Sequence, residues 1–79
     1  VLPAIDRVLS RNFRIAGGEL DLIACDRAGF LVVIEVRGRA KKRFAARYRF
    51  PEAKARQVLR LADRLARRQK RRVRVELLE

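Results

Sequence analysis

The sequence predicts a small α/β domain with a mixed sheet and the element order β-β-β-α-β. Two observations indicate this fold class: β-rich runs separated by turn residues in the first half of the chain, and an amphipathic helical pattern followed by a short alternating run in the second. The 79 residues suit one domain, residues 1–79, with a thin core. A strand, a helix and a further strand imply a parallel connection, so we expect an antiparallel hairpin beside a parallel neighbour.

The first three predicted elements are strands. Residues 7–14 form the first, and residues 19–26 and 30–37 are two β-rich runs separated by Arg27-Ala28-Gly29. A three-residue loop with glycine third is typical of a type I turn closed by a left-handed glycine. This turn pairs Asp26 with Phe30 and makes the second and third strands a hairpin.

The hairpin register has a chemical consequence. It places Asp21 opposite Glu35 and Glu19 opposite Arg37, with all four side chains on one face of the sheet. A two-residue loop would shift the register by one and put the two acids on opposite faces. The other face of the predicted hairpin is apolar, with Leu20, Leu22 and Ala24 against Val32, Ile34 and Val36.

The second half of the chain changes to helical periodicity. Residues 51–69 predict a helix, and Pro51 suits its first turn. The predicted apolar stripe consists of Ala55, Val58, Leu59, Ala62, Leu65 and Ala66. The remaining helix surface carries Arg56, Arg60, Arg64, Arg67 and Arg68. Alternation of Val73, Val75 and Leu77 with charged residues then predicts the last strand.

The net charge of +12 is concentrated in one region, because residues 37–72 hold sixteen Lys or Arg and only two acids. Such a field suits a polyanion, and nucleic-acid phosphates are the commonest one in a cell. Arginine enrichment by genome composition or a hot habitat is the alternative explanation. The residues we expect to contact nucleic acid, with DNA as the partner, are Arg39, Lys41, Lys42, Arg43, Arg47 and Lys54.

Composition excludes several kinds of site. The chain has no His and one Cys, so Ser-His and Cys-His pairs, Cys/His zinc sites and an internal disulfide are excluded. No run resembles a signal peptide or a membrane span, which makes a cytoplasmic location without membrane contact the expectation. Catalysis would have to rest on carboxylates and a hard metal ion.

Asp21 and Glu35 are the candidates for that chemistry. Facing each other, they would place two anions within about 5.5 Å at the backbone. Mg²⁺ or Mn²⁺ would relieve their repulsion and could polarise a phosphodiester. The alternative is that both acids pair with arginines on a solvated sheet face. Spacing alone does not decide between these interpretations.

Three segments, residues 11–14 (Arg-Asn-Phe-Arg), 18–24 (Gly-Glu-Leu-Asp-Leu-Ile-Ala) and 33–39 (Val-Ile-Glu-Val-Arg-Gly-Arg), resemble the YraN family of bacterial proteins. The resemblance runs from about Val8 to the end of the chain and is most specific across the hairpin. It implies a restriction-endonuclease-like fold related to Holliday junction resolvases.

The resemblance also assigns roles. Asp21 matches the family's metal-binding Asp, Glu35 matches the acid of its Glu-x-Lys element, and Glu19 matches a preceding, supporting acid. Lys54 lies where the family's helix begins with a Lys. The segment Arg74-Val75-Glu76 resembles the family's Arg-Phe-Asp.

The chain departs from the pattern at three places. Arg37 replaces the Lys that usually orients the attacking water, and because Arg stays protonated it can hold a phosphate but cannot act as a base. Residues 1–6 are too short for the upstream helix of relatives, so we expect that helix to be truncated or absent. In the loop at residues 43–49, Phe44 and Tyr48 either stack on unpaired bases or cap the core.

Together these observations predict a divalent-metal-dependent nuclease-like domain acting on structured or branched DNA. Its catalytic residues would be Asp21, Glu35 and Arg37, and its metal ligands Asp21 and Glu35 with Glu19 in support. Two other classes stay open: a non-catalytic nucleic-acid-binding module of the same fold, and a domain that docks on acidic proteins. A homodimer is expected from the thin core and from junction substrates.

Overall fold

A computed structural model describes residues 5–36 and 52–78. Its elements are strands β1 (Ile5–Ile15), β2 (Gly18–Asp26) and β3 (Leu31–Val36), helix α1 (Glu52–Gln69) and strand β4 (Val73–Leu78). The strands form one sheet in the order β1-β2-β3-β4, in which β1, β2 and β3 are antiparallel neighbours and β4 is parallel to β3. The predicted α/β class, mixed sheet and element order are confirmed.

The turn between β2 and β3 is the predicted three-residue loop. The N–H of Asp26 donates to the Phe30 carbonyl at 3.0 Å, and the N–H of Gly29 donates to the Asp26 carbonyl at 3.1 Å. Gly29 has a φ of +92°, a left-handed conformation that glycine adopts without steric cost. The Asp26 carboxylate also accepts the N–H groups of Ala28 and Phe30, both at 2.9 Å. Asp26 therefore fixes the turn through side chain and backbone together.

The register that follows from this turn is the predicted one. Leu22 lies opposite Ile34, and the pairing continues to Cys25 opposite Leu31. The helix packs on the face from which Ile23 and Val33 project, the same face that carries Asp21 and Glu35. The buried core contains Ile15, Leu20, Ile23, Leu31, Val33, Val58, Leu61, Ala62 and Leu65. The two acids thus share the helix-covered face of the sheet.

The side-chain alternation of strand β2 is interrupted, so residues that a regular strand would place on opposite faces of the sheet lie on one face. Leu20 and Ile23 both belong to the helix-packed core, although residues three apart point to opposite faces of a regular strand. The change therefore lies between Leu20 and Ile23, close to Leu22, where the regular pairing with β3 ends. Gly18 lets the helix approach this end of the strand, since a Cβ there would meet Leu61 Cδ1 at 2.7 Å.

Helix α1 buries a narrower stripe than the sequence predicts. Val58, Leu61, Ala62 and Leu65 are buried, whereas Leu59 is 55% exposed. The expectation that Leu59 faces the core is wrong, because it lies about 100° round the helix from Val58 and Leu61 takes the core position. No helix within residues 5–36 and 52–78 is long and apolar enough to cross a membrane.

The sheet face opposite the helix carries a polar network. Arg74 of β4 donates to the Asp26 carboxylate at 2.9 Å, and its Nε lies 3.5 Å from Glu76. Burial would raise the pKa of Asp26, but the N–H groups of Phe30 and Ala28 and the Arg74 guanidinium together lower it. Arg74, which the family resemblance singled out together with Glu76, thus ties β4 to the β2–β3 turn.

The C-terminus of α1 is closed by a residue in the left-handed conformation. Lys70 has a φ of +54°, and the N–H of Arg71 donates to the Ala66 carbonyl at 3.2 Å. This bond, from the second residue past the helix end back into its last turn, is the Schellman arrangement, in which glycine usually occupies the Lys70 position.

We predict that Lys70→Gly stabilises the protein. A non-glycine residue in the left-handed region costs about 1 kcal/mol, and glycine removes that cost. Urea unfolding should show a free energy of unfolding higher by up to about 1 kcal/mol. Lys70→Ala, which keeps the strain, is the matched control and should show no gain. A gain of equal size in both variants would contradict this explanation.

The lowered pKa of Asp26 predicts how stability depends on pH. Because the folded pKa lies below the unfolded value, the stabilisation is fully present above about pH 4 and is lost as the pH falls through the folded pKa. Asp26→Asn keeps an acceptor for the turn but loses the charge. Its urea midpoint should lie below wild type at pH 7, with the gap closing towards pH 3. A gap independent of pH would show that charge plays no part.

Candidate metal centre

Asp21 and Glu35 meet where the pairing of β2 and β3 ends. The Asp21 N–H donates to Glu35 Oε2 at 2.6 Å, and the Val36 N–H donates to Asp21 Oδ2 at 3.0 Å. Each carboxylate thus accepts a backbone N–H from the opposite strand, in place of the carbonyl that a regular ladder would supply. These reciprocal bonds hold the two carboxylates side by side.

Glu35 is the most enclosed charged residue described. Its side chain has no exposed surface, and its Oε1 atom accepts no hydrogen bond from residues 5–36 or 52–78. Burial raises the pKa of Glu35, and the Asp21 carboxylate raises it further, against the opposing effect of the Asp21 N–H and of Lys54. A buried carboxylate with an unsatisfied oxygen has a strong electrostatic preference for a cation.

Lys54 brings a positive charge to the same place from α1. Its Nζ lies 3.8 Å from Glu35 Oε1, and its side chain is 43% exposed. Lys54 lies four residues before Val58 and therefore continues the buried stripe of the helix towards the sheet. A lysine in the first helical turn is unfavourable to the helix dipole, so its position reflects the site and not helix stability.

The donor set fits a hard divalent cation. Two carboxylates supply oxygen ligands, and Mg²⁺ is commonly bound by one or two carboxylates while it keeps several waters or phosphate oxygens. Within the described ranges, no group of three or more Cys, His, Asp and Glu side chains comes together. Asp21 and Glu35, with the unpartnered Oε1, are the residues that would hold the ion.

The remaining predicted site residues are distributed as follows. Glu19 is exposed on β2 and lies opposite Arg14 of β1. Lys54, which the sequence suggested as a nucleic-acid contact, lies beside Glu35. Arg37 and the basic residues Arg39, Lys41, Lys42, Arg43 and Arg47 lie outside the described residues.

Sequence reasoning missed the pairing of Lys54 with Glu35. The signal was present, because Lys54 is in phase with Val58, Leu61 and Leu65 on the buried stripe. A charged residue in phase with a core stripe, at the end of a helix, indicates a buried partner of opposite charge.

Comparison with a solved structure supports the fold. A chain in the structure of a complex of EndoMS with double-stranded DNA superimposes with a TM-score of 0.68 and 23% identity, over 94% of this chain and 28% of that one. This similarity supports the α/β fold with its mixed sheet and the order β-β-β-α-β.

Relatives share segments of the sequence. A UPF0102 protein of Ralstonia pickettii is 54% identical over 35 residues, which are 44% of this chain and 28% of that protein. A UPF0102 protein of Dechloromonas aromatica is 58% identical over 38 residues, which are 48% of this chain and 31% of that protein. The matched segments therefore span less than a third of these relatives.

A family model matches nearly the whole chain, over residues 6–78. Its range includes β2, β3 and α1, the elements that carry Asp21, Glu35 and Lys54, and it confirms the family resemblance drawn from the sequence. The chain belongs to the uncharacterised protein family UPF0102.

Proposed function

We propose that this chain carries a divalent-metal-dependent nuclease site that acts on DNA, with structured or branched DNA as the substrate. One observation supports this most: the buried Glu35 carboxylate has an oxygen without a hydrogen-bond partner among residues 5–36 and 52–78, and it lies beside the Asp21 carboxylate and the Lys54 ammonium. Most buried polar atoms in proteins have a hydrogen-bond partner, so a buried carboxylate oxygen without one among the described residues favours a bound cation.

The roles of the residues follow from their positions. Asp21 and Glu35 would hold the ion, which when bound supplies Lewis acidity towards a phosphodiester and lowers the pKa of water. Lys54, whose ammonium lies 3.8 Å from Glu35 Oε1, would orient a phosphate oxygen or the attacking water. Arg37, at the position where a lysine is usual, contacts the scissile phosphate and stabilises developing negative charge. Glu19 acts as a supporting acid.

DNA as the substrate is supported by charge and by the structural neighbour. The net charge of +12 favours a polyanion, and the neighbour is seen in a complex with double-stranded DNA. The preference for branched DNA comes from the family resemblance to junction resolvases, and the homodimer comes from the thin core and from such substrates. The basic residues 39–47 would bind phosphates flanking the site.

A second function, binding of nucleic acid without cleavage, has its own observation in favour. Both carboxylates already accept backbone N–H groups, and Lys54 partly neutralises Glu35. In this alternative the acids stabilise the fold and the basic residues bind phosphate. Assays of metal binding and of DNA cleavage distinguish the nuclease from the binding module.

We predict that Mn²⁺ or Mg²⁺ stabilises the protein through Glu35. An ion present at 100 times its Kd adds about 2.7 kcal/mol, which should raise Tm by on the order of 10 °C. Glu35→Gln removes a buried charge beside Asp21, so in EDTA its Tm should equal or exceed that of wild type, and metal should add nothing. Differential scanning fluorimetry provides the measurement.

The matched control for this experiment is Glu52→Gln, which removes an exposed acid from α1. It should respond to metal as wild type does. A wild-type Tm that does not change with either metal, or an equal response of Glu35→Gln, would contradict a cation at this site.

For catalysis, we predict metal-dependent cleavage of branched DNA that Asp21→Ala abolishes. Lys54→Met should lower kcat/KM by about 10²- to 10³-fold, the usual effect of losing one group that stabilises transition-state charge. Lys70→Met, which removes an exposed lysine from the other end of α1, is the control and should cleave normally.

Cleavage is followed on labelled branched and linear DNA with Mg²⁺, Mn²⁺ or EDTA. Activity that persists in Asp21→Ala would point to a contaminating nuclease and overturn the assignment. Tight, salt-sensitive binding without cleavage in any metal would favour the binding module.

A further inference from the structure

The arginines of α1 fall into two groups. Arg56 is paired with Glu52 at 3.3 Å, and Arg67 is paired with Asp63 at 3.0 Å. Each of these charges is partly neutralised by an acid one turn earlier in the helix. The other three arginines, Arg60, Arg64 and Arg68, form no ion pair with any residue of the ranges 5–36 and 52–78.

These three residues form what we call the arginine row. Arg60, Arg64 and Arg68 are exposed and follow each other at intervals of four residues. Each step advances about 6 Å along the helix axis and about 40° around it, so the row is about 12 Å long. Gln57 lies on the same side of the helix, close to Gly18 at the β1–β2 turn.

The arginine row does not serve the stability of the helix. Like charges four residues apart destabilise a helix by about 0.2–0.5 kcal/mol per pair, and the row contains two such pairs. Only Arg68, in the last turn, interacts favourably with the helix dipole. An arrangement that costs folding energy is explained by an external anion, and the forked guanidinium suits phosphate oxygens.

The row begins between one and two helical turns after Lys54, the helix residue at the candidate metal centre. Lys54 marks the start of α1 beside Glu35. Arg60 lies about 9 Å further along the helix axis and Arg68 about 21 Å. Because the phosphates of one DNA strand rise about 3.4 Å per nucleotide along the axis of the duplex, a row of about 12 Å spans three to four nucleotide steps.

We propose that Arg60, Arg64 and Arg68 bind the phosphate backbone of duplex DNA to one side of the metal centre. The identity of the ligand rests on the proposed function, whereas the contact itself does not require cleavage. The row positions a duplex arm, and the paired arginines Arg56 and Arg67 contribute little.

The test compares two triple variants of equal net charge. The row variant is Arg60→Gln, Arg64→Gln and Arg68→Gln. The matched control is Arg56→Gln and Arg67→Gln on the same helix, with Lys70→Gln directly after its last residue. Fluorescence anisotropy with a labelled 30-base-pair duplex in EDTA measures Kd at several salt concentrations. Thermal melts check folding, and the row variant should melt no lower than wild type because its loss removes like-charge repulsion.

We expect the row variant to lower the slope of log K against log salt by about 2 to 3, since each phosphate contact contributes about 0.9 on duplex DNA. Its affinity should fall at least tenfold, and the control should stay within about threefold of wild type. Equal losses in both variants would show that only net charge matters and overturn the proposal.

Two further outcomes would also overturn it. Equal binding of single-stranded DNA, with the same dependence on the row, would exclude a duplex surface. If the row variant lost binding to polyglutamate by the same factor as binding to duplex DNA, the row would be assigned to an acidic protein partner.

The failure of the nuclease proposal can be distinguished from the failure of the proposal for the arginine row. Binding that depends on the row in a wild-type protein that cleaves nothing would contradict only catalysis. If cleavage occurs, the row variant should raise KM with little change in kcat, whereas Asp21→Ala should abolish cleavage and keep binding that depends on the row.

Discussion

The Glu35 carboxylate is buried between the sheet and the first turn of α1, and the rest of the structure is arranged around this charge. A buried carboxylate is tolerated only where hydrogen bonds and opposite charge replace water. Here the Asp21 N–H supplies the hydrogen bond and Lys54 supplies the charge. Both depend on tertiary packing, because β2 must end its regular pairing at Leu22 and α1 must begin above Glu35.

The geometry of this centre depends on a turn at the other end of the hairpin. Asp26 fixes the β2–β3 loop, and Arg74 binds the same carboxylate from β4. A slip of one residue in that loop would move Asp21 and Glu35 to opposite faces. A structural ion pair on the face away from α1 therefore sets the position of two acids on the other face, and the stability of the turn and the integrity of the site are linked.

The charges of the domain separate into those that serve the fold and those left for a ligand. Asp26 with Arg74, and Glu52 and Asp63 with their arginines, are neutralised within the chain. Glu35 has Lys54 at 3.8 Å, but its Oε1 atom has no hydrogen-bond partner among the described residues. The arginine row has no ion-pair partner among them. The buried carboxylate favours a cation, and the arginine row favours a polyanion.

The sequence by itself determined the order of elements, the mixed sheet and the hairpin register, because strand alternation and the Arg27-Ala28-Gly29 turn are local properties of the chain. The register alone was enough to place Asp21 beside Glu35. Which face of the sheet the helix covers, and hence that Glu35 is buried and pairs with Lys54, was decided only by tertiary packing. The sequence also predicted Leu59 in the core, where the structure has Leu61. The spacing of the apolar residues in α1 is compatible with several overlapping apolar stripes along the helix. Close packing against Gly18 selects one stripe, and that selection turns a pair of strand acids into a buried centre beside an ammonium group.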